Sequence, residues 1–130
     1  MIIWALKERN TRIPNEHSPR IINVDDLQSQ GTHWVACAPS HENRKILWYF
    51  DSFGMHYPME YENRAKQDGM KVIYNTVPYQ HIKSVLRGYY CIYFLYRWSL
   101  GEEYYDILQR FSINDTNYNE RFIEKYFKLI

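Results

Sequence analysis

The sequence predicts an α+β fold: a small antiparallel or mixed sheet packed on helices, with one helix buried at its centre. Three observations predict it. Short β-rich runs separated by turn residues lie between positions 21 and 74. The stretch 84–100 is apolar on every face of a helical wheel. Two amphipathic stretches follow it. Strands in one part of a chain and helices in the next read as α+β. A length of 130 residues suits a single domain, 1–130, and is too short for two. With 45% apolar and 18% aromatic residues there is enough surface to bury a core. Thirteen residues are tyrosine. A buried tyrosine hydroxyl needs a partner, so many ring edges are expected near the surface or at an interface.

Residues 1–20 read as an irregular arm, polar after a short apolar start and carrying Pro14 and Pro19. Ile21 to Val24 is a strand closed by Asp25 and Asp26. After Gly31 comes a second strand, His33 to Ala38, and after the polar loop 39–44 a third, Lys45 to Phe50. Two strands joined by such a loop read as a hairpin. Residues 58–70 predict one surface helix, with Gly69 as its stop, and Val72 to Tyr74 a fourth strand. In 84–100 the apolar residues Val85, Leu86, Tyr89, Tyr90, Ile92, Tyr93, Phe94, Leu95 and Trp98 leave no polar face, which marks a buried helix. It would be roughly 25 Å long, capped by Ser84 and ended by Gly101. Helices are expected at 102–111 and 119–129.

The bulk chemistry gives no support to several functions, though it leaves room for a local charged patch. A net charge of +1 gives no general reason for binding nucleic acid or a membrane surface. Cys37 and Cys91 are too few for a disulfide framework. No CxxC pair or HExxH spacing points to a metal, and nothing points to a cofactor. Met1 to Leu6 is apolar, but Lys7 to Asn10 end the run too early for a signal peptide or a membrane span. The expected setting is intracellular, in cytoplasm or nucleus, or inside a particle made there.

One constellation carries chemistry. His33 begins a strand and Asp51 ends the next. In a hairpin the start of one lies beside the end of the other. A carboxylate there can bond one imidazole nitrogen, fix the tautomer and leave the other as a base. Asp51 could equally be a simple strand terminator. Gln80, in the loop before the buried helix, has an amide able to donate to a developing oxyanion, or could face solvent. The helix N-terminus would lower the pKa of a thiol placed in its first turn.

The segments GTHW (31–34), YFDSFG (49–54), Gln80 and SVLRGYYC (84–91), together with the run IINVDDLQSQ before His33, resemble the adenovirus-type maturation proteases, or adenains. The resemblance extends to those of virophages and Maverick/Polinton elements and, more widely, to the SUMO and ubiquitin-like-protein proteases. It covers about residues 20–110 and implies a papain-like cysteine-protease architecture. It makes His33 the base, Asp51 the acid and Gln80 the oxyanion donor. The family's nucleophile is the cysteine of a Cys-Gly pair. Here that register holds Arg87 and Gly88, and the family's second cysteine is present as Cys91. Beside the family the chain is short before His33 and after Arg87.

A guanidinium stays protonated and cannot attack a carbonyl. Removing a triad nucleophile costs on the order of 10⁶ in turnover, so no useful peptidase activity is expected. Cys91 reads as core, and Cys37 is a poorer substitute still. Arg87 either fills the cleft by turning toward Asp51 or a backbone carbonyl, or is a partnerless relic of lost selection, or was introduced to inactivate the enzyme. Three functions follow: a pseudo-protease that binds protein or peptide in the former substrate cleft, a viral or transposon endopeptidase in inactivated form, or a structural protein with no cleft in use. The resemblance also brings in viral structural proteins, a short activating peptide and nucleic acid as partners, the last without support from the charge.

Overall fold

The computed structural model describes residues 2–5, 17–24, 33–86 and 88–129. Five strands and four helices run in the order β1 (Ile2–Ala5), β2 (Arg20–Asn23), β3 (Trp34–Pro39), β4 (Ile46–Phe50), α1 (Met59–Gln67), β5 (Lys71–Tyr74), α2 (Tyr89–Ser99), α3 (Tyr104–Leu108) and α4 (Thr116–Tyr126). Strands β2 to β5 form one mixed sheet in sequence order, and β1 extends it beside β2. β3 is antiparallel to both β2 and β4. β1 runs parallel to β2, and β5 parallel to β4. The α+β expectation and the β3–β4 hairpin both hold. Residues 2–5, expected in an irregular arm, are instead a strand. Its four backbone pairs with β2 are long-range contacts that no local pattern announces.

Strand alternation sorts the core into two layers. Ile21, Ala36, Ala38, Trp48 and Phe50 point to one face and pack with Tyr90, Cys91, Tyr93 and Phe94 of α2, and with residues of α3 and α4. Ile22, Val35, Cys37, Leu47 and Tyr49 point to the other and pack with Tyr61 and Ala65 of α1. Helices thus cover both faces, which explains why β3 and β4 are nearly continuous apolar runs. Phe50 and Phe94 stack at 4.9 Å, joining the sheet to α2. The tyrosines divide between core and surface, with Tyr57, Tyr74, Tyr89 and Tyr126 partly exposed. Tyr49, Tyr61, Tyr79, Tyr90, Tyr93 and Tyr104 are buried, while Tyr96, Tyr105 and Tyr118 are exposed.

α1 lies within its expected span. Glu60 and Glu62 open it, Arg64 and Lys66 close it, matching the helix dipole. Tyr61 and Ala65, four apart, form its buried stripe. The long helix expected at 84–100 is corrected at its start. α2 begins at Tyr89, behind Gly88 in the left-handed region at φ 77. A side chain is unfavourable at that φ, so glycine sets the entry. Ser84 does not cap α2; its hydroxyl accepts from the Leu86 N–H at 3.1 Å, one turn earlier. Nor is the stretch buried all round: Val85 and Tyr96 are exposed, and Ile92 is at the border of exposure. The two later helices are also shifted, α3 being shorter than 102–111 and α4 starting earlier than 119. In α4 the cause is a cap: Asp115 accepts from the Tyr118 N–H at 3.0 Å.

Candidate functional site

The β3–β4 register pairs Ala36 with Phe50. Carried outward, it brings the residue before β3 and the residue after β4 to one end of the sheet. There His33 Nε2 donates to Asp51 Oδ2 at 2.7 Å. A carboxylate oxygen only accepts, so Nε2 carries a proton in this bond and Nδ1 is the ring nitrogen turned away from Asp51. The His33 carbonyl accepts from the Val24 N–H at 2.8 Å, tying it to the end of β2. Its ring stacks on Phe53 at 5.5 Å. The side chain remains 19% exposed, whereas that of Asp51 is 1% exposed.

Asp51 is held from several sides. Its Oδ1 accepts from the Phe53 N–H at 2.8 Å, an Asx turn that directs Oδ2 toward His33. The Gly54 N–H donates to the Asp51 carbonyl at 2.8 Å, closing the turn. Gly54 sits at φ 69, and a Cβ there would lie 2.8 Å from the Thr76 carbonyl oxygen, so this close approach requires glycine.

Gln80 joins the same turn. The Ser52 carbonyl accepts from the Tyr79 N–H at 2.7 Å and the Gln80 N–H at 2.9 Å. The Ser52 hydroxyl donates to Gln80 Oε1 at 2.5 Å. Gln80 is 4% exposed, and its buried Nε2 has no hydrogen-bond partner among the described residues. A buried amide donor left unpaired costs about 1–3 kcal/mol.

α2 reaches this region through its first turn. Cys91 Sγ donates to the Trp34 carbonyl at 3.4 Å, one residue beyond His33. Cys91 is buried and free, and burial, with the Asp51 charge adding to it, raises its thiol well above the ordinary range. It is a core cysteine, as expected. Cys37 is likewise buried and free, its thiol pushed up to about 12 by burial. Neither is an activated nucleophile.

The structure therefore brings together His33, Asp51 and Gln80. Arg87 lies outside the described residues, and so do the alternatives raised for its side chain. The helix that was to hold position 87 in its first turn starts two positions later. Sequence reasoning missed Ser52, which aims Gln80, and Asn75, which binds the Asp51 backbone at 3.0 and 2.7 Å. Ser52 stood in the quoted YFDSFG segment. No local signal singles out Asn75.

Among the described residues no group of three or more His, Cys, Asp or Glu side chains converges as a metal would require. No described helix is long and apolar enough to cross a membrane. No protein-family model matches the chain, and no curated protein matches it in sequence.

Proposed function

We propose that this chain is a cysteine-protease-like domain of adenain type, papain-like in architecture, that binds a protein or peptide segment without cleaving it. The reading joins the resemblance of the quoted segments to the chemistry of the site. One observation carries it: Gln80, whose Nε2 has no partner among the described residues, stands in the same turn network as the hydrogen-bonded His33–Asp51 pair. That is a general base and an oxyanion donor without a nucleophile, because the register residue is Arg87. A carbonyl of a bound chain supplies the acceptor that Gln80 lacks. The partner class is a protein segment, a viral structural protein among the candidates, inside a cell or a particle assembled there.

A second reading has a specific observation in its favour. His33 and Asp51 share a hydrogen bond and Gln80 is bonded to Ser52 in the turn beside them, an arrangement that an endopeptidase inactivated at one position would also keep.

Arg87→Cys tests both. The unmodified chain and the variant are treated with a thiol-directed electrophilic peptide probe, and the adducts are mapped by mass spectrometry. The variant is expected to label at position 87 faster than a free thiol, and to lose that advantage when His33→Ala is added. The unmodified chain is expected to stay unlabelled. Labelling or substrate cleavage by the unmodified chain would overturn the inactive reading. An Arg87→Cys variant no more reactive than a free thiol would overturn the protease-like one.

A further inference from the structure

Asn75 follows β5 directly and is buried. Its side-chain amide lies against the main chain of Asp51. Oδ1 accepts from the Asp51 N–H at 3.0 Å, and Nδ2 donates to the Asp51 carbonyl at 2.7 Å. Nδ2 also donates to the Val77 carbonyl at 3.2 Å. The parallel β4–β5 ladder ends at the pair Tyr49–Tyr74. Past that pair the Asn75 side chain gives Asp51 both bonds that a strand's main chain would have given. Tyr104 supports the arrangement, its hydroxyl donating to the Tyr49 carbonyl at 2.9 Å and approaching Asn75 Oδ1 at 3.5 Å.

With its peptide groups clamped, Asp51 has only side-chain torsions left. The Phe53 N–H takes Oδ1 and so restricts those. Oδ2 is then directed at His33 Nε2. We propose that Asn75 is a positioning residue for the His33–Asp51 pair. It fixes the Asp51 backbone so that the carboxylate holds His33 as the Nε2–H tautomer, with Nδ1 as the acceptor. That this tautomer serves as a base rests on the reading under Proposed function; the clamp itself does not.

A buried asparagine could instead contribute stability alone, so the readout is the histidine. The whole, unmodified-at-87 chain is labelled with ¹⁵N, and the His33 ring nitrogens are followed by NMR. The Nε2–H form is expected to dominate, with a slowly exchanging ring proton. In Asn75→Ala the Nδ1–H form becomes populated, and ring-proton exchange speeds up by roughly tenfold, the equivalent of about one ordinary hydrogen bond. Asn119→Ala is the control. Asn119 is also buried and makes three comparable bonds, to the Ser112 N–H and to the Tyr79 and Ser112 carbonyls. That variant should lose stability and leave the His33 tautomer as it was. An unchanged tautomer in folded Asn75→Ala would overturn the proposal, as would an equal change in Asn119→Ala. If Asn75→Ala does not fold, hydrogen exchange in the unmodified chain decides. The Asp51 amide proton and the Asn75 side-chain protons must be protected to the level of the β4 core, and fast exchange overturns the clamp. None of these readouts involves position 87 or peptidase activity, so an unreactive Arg87→Cys would leave them standing.

Discussion

Ser52 and Gln80, 28 residues apart in sequence, share a hydrogen bond of 2.5 Å in which the serine hydroxyl donates to Oε1. An amide has an accepting end and a donating end. Occupying the first with a donor turns the second, Nε2, away from Ser52. Ser52 thereby sets which way Gln80 points, and the Ser52 carbonyl sets where it stands by accepting from the Tyr79 and Gln80 N–H groups.

In an Arg87→Cys background, Gln80→Ala is expected to lower peptide hydrolysis by about 10²–10³, the usual cost of losing one oxyanion donor. Ser52→Ala, which leaves the amide in place but unaimed, should lower it less and cost about 1 kcal/mol of stability. The rate constants and urea midpoints of the two variants check this. Equal activity with and without Gln80 would remove it from the site.

The two thiols give a second prediction. Cys37 and Cys91 are each 1% exposed. Burial lifts Cys37 to about 12, so at pH 8 on the order of 10⁻⁴ of it is thiolate, and the Cys91 thiol is raised as well. A neutral alkylating reagent should leave the native unmodified chain untouched. Labelling should rise only along the urea unfolding curve. A thiol that reacts in the native state at the rate of a free cysteine would contradict the burial.

A third prediction concerns acid. Arg20 is fully buried, and its Nη2 donates to His17 Nδ1 at 3.3 Å. Since arginine only donates, His17 accepts there and donates from Nε2 to Asp68 Oδ2 at 2.7 Å. The ring must be neutral to do both. Burial, opposed by the Asp68 bond and reinforced by the Arg20 and Arg64 charges, lowers the His17 pKa below its ordinary 6.5. The folded state therefore takes up the proton less readily than the unfolded one. Stability is complete above about pH 6.5 and is lost as pH falls from there through the lowered folded value. His17→Gln keeps an acceptor for Arg20 and a donor for Asp68 but cannot titrate. Its melting temperature should decline less than that of the unmodified chain between pH 7.5 and pH 5. Parallel declines in the two proteins would exclude the His17 contribution.

The sequence by itself determined the features that repeat at short range. Alternation in β3 and β4 set which residues face each helix layer. An aspartate closing one strand and a histidine opening its hairpin partner set the His33–Asp51 pair, because hairpin register converts a spacing in sequence into proximity. Tyr61 and Ala65 set the buried stripe of α1. Tertiary structure alone decided the rest. It made β1 a strand by pairing it with β2. It delayed α2 to Tyr89, since a left-handed Gly88 and the Ser84–Leu86 turn outweigh an apolar helical pattern. It turned the Oε1 end of Gln80 to Ser52, and it set the Asn75 side chain against the Asp51 main chain. The physical reason is common to all four. Each depends on hydrogen-bond partners or backbone angles fixed by residues distant in sequence, and composition and period carry no record of either.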